Sequence, residues 1–310
     1  MFVSALEQAE ALMHAAADVG PAASPLLLFY AVSQAGRAIA AARLDDPWRL
    51  SGHGLKAPAP ADASTGLLQR IVKPDGGQAS GKRRPSFAGV AEAIGSGQLT
   101  SGIELGALWA AIPELMAPLP QPPLKDPAWK RPLRVFRPMF DAAHQRLADM
   151  RPLELLVDLS PDWDLDRLLR HLSDYPTAEG AYMWHTQGMN KDFIVTQPGP
   201  EGLLPVFCWA DVPTGIASRT HRLNRIAPDY RRLGTRLLFP RAGGKDALSP
   251  LMLWWALLFC LSSIARYDPE TWIGALTIND SELAVPIEAA LDAALEALPD
   301  LILDALTSRT

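Results

Sequence analysis

Cysteine is scarce in this chain: 310 residues hold only Cys208 and Cys260, far apart and outside any CxxC or CxxH spacing. That excludes a disulfide framework and a zinc finger, and it makes a reducing cytoplasm the expected setting. Long apolar runs are missing too. The longest, Leu251 to Ala265, falls short of the roughly 20 residues a membrane helix needs, so it reads as a buried core helix and no membrane is expected. Positive charge is not in excess either. The formal net charge is −5, and composition alone therefore does not imply nucleic acid. No HExxH, GxSxG, phosphate loop or dinucleotide fingerprint occurs, and the six histidines are scattered, so no cofactor is expected. Asp162, Asp164 and Asp166 lack the glycine and distal glutamate of a calcium loop. With Pro161 they read as a helix start, and no metal is expected.

Nearly half of the residues are apolar, enough for one large core or two ordinary ones, and two coupled subdomains are expected. Met1 to Ala17 lacks the basic start and small-residue cleavage site of a secretion signal. It reads as an amphipathic helix opened by a Ser4/Glu7 capping box. A second helix starts at Ser24-Pro25, a cap followed by a proline whose missing N–H costs nothing. Its polar residues Tyr30, Gln34 and Arg37 are spaced four and then three apart, which lays them on one stripe of the helix surface. The helix ends at Asp45-Asp46-Pro47, and Gly52-His53-Gly54 follows.

From Ala57 to Pro85 the chain turns to Pro, Gly, Ser and Ala around a short apolar island, Leu67 to Val72, and reads as a long surface excursion carrying Lys82-Arg83-Arg84. Phe87 to Ile94 predicts a short helix. A second capping box, Ser101/Glu104, opens a run in which Leu105, Leu108, Trp109, Ile112 and Leu115 repeat at three and four, predicted to pack on the second helix. Six prolines between Pro118 and Pro132 mark a boundary. Beyond it, Leu133–Phe136, Leu153–Leu159, Phe193–Gln197 and Leu203–Trp209 are β-prone. Ser249-Pro250 opens the apolar helix, and an amphipathic helix runs from Pro286 to about Leu306 through Pro299. The fold class predicted is predominantly α with a smaller α/β part: a helical bundle over 1–118, a Pro-rich connector over 119–132 and a mixed subdomain over 133–310.

The run SPLMLWWALLFCLSSIARYDPETW followed by LAVPIEAALDAALEALP resembles the YaaC-like family of bacterial proteins, for which the resemblance implies no particular reaction. Separately, FYAVSQAGRAIAAA and the later GHGLK are similar to the YYAMFHAARALL run and His-containing turn of small HEPN proteins (higher eukaryotes and prokaryotes nucleotide-binding). That second resemblance implies a HEPN-like bundle in the first subdomain, with Tyr30, Arg37 and His53 at the matching positions. The HEPN group contains both metal-independent ribonucleases and non-catalytic adaptors, so membership leaves activity open.

Catalytic HEPN proteins carry an Arg and a His on one helix, and the nearest match here is Arg137 to His144. Pro138 puts Arg137 at a helix start and off its face, and the pair reads mainly as a solvated helix end. Arg37 sits among Ala and Leu, where a buried guanidinium is costly unless paired. Either Glu7, Glu10 or Glu104 neutralises it, or Tyr30, Gln34 and Arg37 line a pocket beside His53 that binds phosphate or a nucleotide. Residues 219–245 carry Arg219, Arg222, Arg225, Arg231, Arg232, Arg236, Arg241 and Lys245 against Asp229 alone. They form either a polyanion-binding face or the partner of the acidic last helix, which holds Glu288, Asp292, Glu296, Asp300 and Asp304. Of the adjacent Trp254 and Trp255, one is expected to meet a partner surface or the first subdomain.

Three functions fit these readings. The first is a cytoplasmic nucleotide- or RNA-binding regulatory protein, using Tyr30, Gln34, Arg222, Arg225, Arg231 and Arg232. The second is a metal-independent ribonuclease of stress or phage defence, using Arg37, His53, Arg137 and His144. The third is a scaffold that forms a homodimer or binds a partner protein through its C-terminal helices.

Overall fold

The computed structural model describes residues 1–44, 49–62, 65–76, 83–116, 129–135, 151–156, 170–176, 181–183, 195–199, 202–209 and 236–307. The protein is predominantly helical with a smaller sheet-containing part. It divides into two compact units, the first made of residues 1–131 together with 241–310 and the second of 132–240. The C-terminal helices were expected to stay with the mixed subdomain over 133–310, and this division corrects that expectation. The physical reason is the apolar helix near residue 250, which can bury its whole circumference only inside a shell of other helices.

Helices α1 (Phe2–Asp18) and α2 (Ser24–Arg43) pack on each other. Short strands β1 (Arg49–Ser51), β2 (Leu55–Lys56), β3 (Ile71–Pro74) and β4 (Arg83–Pro85) lead into α3 (Ser86–Ala93), and β5 (Ile103–Glu104) into α4 (Leu105–Ala111). The C-terminal part adds α5 (Pro250–Tyr267), α6 (Pro269–Leu276) and α7 (Ala284–Thr307), the last with Pro299 inside it. Residues 251–264 of α5 are all buried, with α2, α3, α4, α6 and α7 packed around them. Both α2 and α5 are long and apolar enough to cross a membrane, yet 56% and 78% of their apolar windows lie buried inside the protein.

The approach of α2 to α5 is set by Gly36. A Cβ there would lie 2.4 Å from two ring atoms of Trp255, so only hydrogen lets the indole lie against the helix backbone. Trp255 also meets Phe87 edge to face at 6.2 Å, while Trp254 donates from its indole nitrogen to the buried Glu114 at 3.1 Å. Both tryptophans are wholly buried, as is Trp272, whose indole donates to the Ala22 carbonyl at 3.1 Å. None of the three is on a surface open to a partner. Arg43, in the last turn of α2, donates to the Ala305 carbonyl near the end of α7, a place where helix carbonyls lack intrahelical donors.

Local signals misplace several helix starts. α2 begins at Ser24 with Ala23 before it, and neither Ser24 nor Ser249 caps its helix by a side-chain hydrogen bond. The Ser249 N–H instead takes Ser96 Oγ as its acceptor, a tertiary contact. The Ser4/Glu7 box is not formed either, since α1 starts at Phe2. Glu104 is the last residue of a strand, not part of a capping box: Ile103 and Glu104 pair with Val72 and Ile71. The main helical partner of α4 is α5 and not the expected α2. The Leu67–Val72 island is likewise no loose excursion, because Leu67, Leu68 and Val72 are core residues.

The second unit is built on an antiparallel sheet. Its order is β11-β6-β7-β10-β8, with β9 also pairing with β10, for β6 (Leu133–Val135), β7 (Arg151–Leu156), β8 (Ala181–Met183), β9 (Val195–Gly199), β10 (Gly202–Trp209) and β11 (Arg236–Leu238). β6, β7, β9 and β10 fall on the four β-prone runs, whereas β8 and β11 lie outside them.

Candidate functional site

Three segments of the first unit converge on His53. Gly52 and Gly54 both take left-handed backbone conformations, with φ of 55° and 77°, which turn the chain sharply on either side of the histidine. The turn is then tied down by its own backbone. The Gly52 carbonyl accepts from Ser86 Oγ at 2.7 Å, the His53 carbonyl from the Phe87 N–H at 3.2 Å and the Gly54 carbonyl from the Asp75 N–H at 3.1 Å. A Cβ on Gly54 would press on Pro85 and Phe87 at 3.0–3.3 Å, so this position has no room for another side chain.

The imidazole lies on an aromatic floor. Phe29 of α2 meets it edge to face at 5.1 Å, and Phe259 of α5 lies 6.0 Å away; both phenylalanines are buried. Tyr30 forms the rim, with its ring 6.4 Å from the imidazole and 37% of its surface exposed. Arg266, in the last turn of α5, reaches Tyr30 Oη at 3.4 Å and donates from Nε to the Ser262 carbonyl at 3.2 Å. Its guanidinium also sits 4.9 Å from the centre of the Tyr267 ring. Neither Arg266 nor Arg37 forms an ion pair among the described residues.

The stripe Tyr30, Gln34 and Arg37 is real. Of the two readings of Arg37, internal neutralisation fails, because Arg37 is exposed to solvent and Glu7, Glu10 and Glu104 do not pair with it. Glu104 accepts instead from the Trp129 indole at 2.9 Å. The correction has a simple cause: the small residues Ala35, Gly36, Ala38 and Ala40 face the core and leave Arg37 on the outer surface. The arginine that does carry the burial problem is Arg70, in the apolar island. It is paired with Asp268 at the end of α5 and keeps a buried Nε with no acceptor. Its charge also reaches the buried Cys260 thiol, although burial dominates and pushes that thiol up to about 12. The same burial argument, applied to the lone cation in Leu67 to Val72, would have found Arg70; Arg266 was hidden as an ordinary basic helix end.

Burial lowers the proton affinity of His53, and the nearby charges of Arg266 and Arg37 lower it further; Asp75 acts weakly in the opposite direction and is engaged by Lys56 at 2.9 Å. His53 is therefore neutral at pH 7. A depressed folded value means that the unfolded chain takes the proton first as pH falls. The contribution to stability is complete above the ordinary imidazole value near 6.5 and is lost as pH drops through it toward the lower folded value. Chemical denaturation of His53→Gln between pH 7.5 and 5 should show a flatter decline in stability than the unsubstituted chain; parallel declines would contradict this placement of the imidazole.

Arg137, His144, Arg222, Arg225, Arg231 and Arg232 lie outside the described residues, as do Asp162, Asp164 and Asp166. Among the described residues no group of three or more His, Cys, Asp or Glu side chains is arranged to hold a metal ion. Residues 1–306 match the family model described as YaaC-like Protein. The chain belongs to the YaaC-like family. No curated protein and no solved structure matches this YaaC-like chain. In the YaaC-like fold, then, the His53 site draws on α2 near the start of the matched region and on α5 near its end, which the long intervening chain has to bring together.

Proposed function

We propose that this YaaC-like protein is a binding or regulatory protein whose ligand is a nucleotide or RNA, held at Tyr30, Gln34, Arg37, His53 and Arg266. The observation that carries the reading is Arg266 on the Tyr30 hydroxyl, without a carboxylate partner among the described residues, beside a neutral imidazole and an exposed tyrosine ring, with the exposed Arg37 on the same stripe of α2. Arginine forks fit phosphate oxygens in two-point fashion, and an exposed aromatic face takes a base by stacking. The similarity of α2 and the Gly-His-Gly turn to HEPN sequences supports the same ligand class.

Retention of the full chain on single-stranded RNA or a nucleotide resin should fall steeply between 50 and 200 mM salt. Binding indifferent to salt, or none, would contradict the proposal. A ribonuclease is the second reading, favoured by the neutrality of His53, since a general base must be unprotonated to accept a proton. It requires metal-independent cleavage of single-stranded RNA that His53→Ala abolishes.

A further inference from the structure

We infer that the His53 site holds two consecutive bases of a single RNA strand, one on Tyr30 and the next on Tyr267, with the phosphodiester that joins them on Arg266. The inference rests on the nucleotide-binding reading above and deepens it, adding Tyr267 to the site and choosing a strand over a free mononucleotide. Both tyrosines touch the same guanidinium. Arg266 reaches Tyr30 Oη at 3.4 Å, and its central carbon lies 4.9 Å from the centre of the Tyr267 ring. A phosphodiester stands between the two nucleosides it joins, so one cation in contact with two exposed rings repeats the order base, phosphate, base.

Charge and exposure support the same choice. Arg266 brings one positive charge, which the single negative charge of a diester balances. Asp268, the acid nearest to it in sequence, is committed to Arg70 and to the Thr271 N–H, and no ion pair among the described residues includes Arg266. The guanidinium is steadied by its Nε bond to the Ser262 carbonyl, which leaves most of its five N–H donors for phosphate oxygens. Tyr267, the last residue of α5, is 76% exposed. Arg266 lies over one face of that ring, and the opposite face is open to a base. Tyr30 is backed by Phe29 at 5.4 Å and His53 at 6.4 Å, so the first base meets a ring already held in place.

Isothermal titration of the full chain compares adenylyl-(3′→5′)-adenosine, one diester between two bases, with adenosine 5′-monophosphate. The dinucleotide is expected to bind about 10-fold more tightly or better, an increment that one stacked base supplies. Electrostatics alone would rank the two the other way, because the monophosphate carries about 1.5 to 2 negative charges near pH 7. Tyr267→Ala, an exposed substitution that leaves the fold intact, should bring the dinucleotide within about 3-fold of the monophosphate and leave the monophosphate unchanged. Tyr267→Phe should keep the full preference, since a ring stacks without its hydroxyl. A dinucleotide that binds no more tightly than the monophosphate overturns the second base position and leaves the nucleotide-binding reading standing. A preference that survives Tyr267→Ala, or is lost equally in Tyr267→Phe, overturns the stacking assigned to Tyr267. Failure of both probes and of an oligoadenylate to bind overturns the underlying reading itself.

Discussion

Replacing Arg37 and Arg266 together by alanine is expected to weaken binding of adenosine 5′-monophosphate by about 100-fold or more. Hydrogen bonds to charged groups contribute about 1.5–3 kcal/mol each, and two lost contacts therefore exceed the roughly 2.8 kcal/mol that 100-fold represents. Fold integrity is not at stake for the first residue, because Arg37 is exposed and makes no ion pair among the described residues. Arg266 gives up a bond to the Ser262 carbonyl of its own helix, a long one to Tyr30 Oη and its contact with the Tyr267 ring, none of them an ion pair. The melting temperature of the double variant should stay within a few degrees of the parent. Calorimetric titration of the two single variants and the double then tests whether the arginines act on one ligand. A double variant no weaker than the worse single variant would show that only one arginine touches the phosphate.

The second large effect concerns folding. Asp268→Ala should cost about 3 kcal/mol of stability, because it strands Arg70 inside the first unit without a counter-charge. The Asp268 side chain keeps 34% of its surface exposed against 8% for Arg70, which places the loss at the low end of the range for breaking a buried pair. Arg70→Met combined with Asp268→Ala should recover most of it, since an apolar replacement removes the stranded charge as well. Acid should mimic the single substitution. The side chain and backbone of Thr271 and the Arg70 guanidinium hold the Asp268 carboxyl below its ordinary value, so its contribution is present above about pH 4 and disappears as pH falls through the lower folded value. Urea titrations of the three variants check this, and a double variant as unstable as Asp268→Ala would contradict the electrostatic explanation.

Much of this architecture is legible in the sequence because it is local. Prolines and hydrophobic periodicity locate α1, α2, α3, α5 and α7 to within a few residues, and β-prone runs between breakers locate β6, β7, β9 and β10 of the second unit but miss β8 and β11. Cap residues serve less well, since Ser249 is drawn into a contact with Ser96, 153 residues away. Long-range partnership is what the sequence hides. Arg70 and Asp268 are 198 residues apart, and Arg266 and Tyr30 are separated by 236, so no spacing rule brings either pair together. The candidate site was accordingly half visible: its polar stripe and glycine-flanked histidine read directly, while its second arginine came only with the fold. The expectation for Arg37 failed on one assumption, that an arginine in an Ala-rich helix is buried. Gly36 beside it is the residue that faces the tryptophan.

The most direct measurement is a titration of the full chain with adenosine 5′-monophosphate, followed through the His53 ring signals by nuclear magnetic resonance. A saturable shift of those signals is expected, with uptake of a proton by the imidazole as the phosphate offsets the nearby arginine charge, and loss of the shift in Arg266→Ala. Signals that stay fixed through a titration in which the nucleotide binds would place the ligand elsewhere and contradict the proposed site.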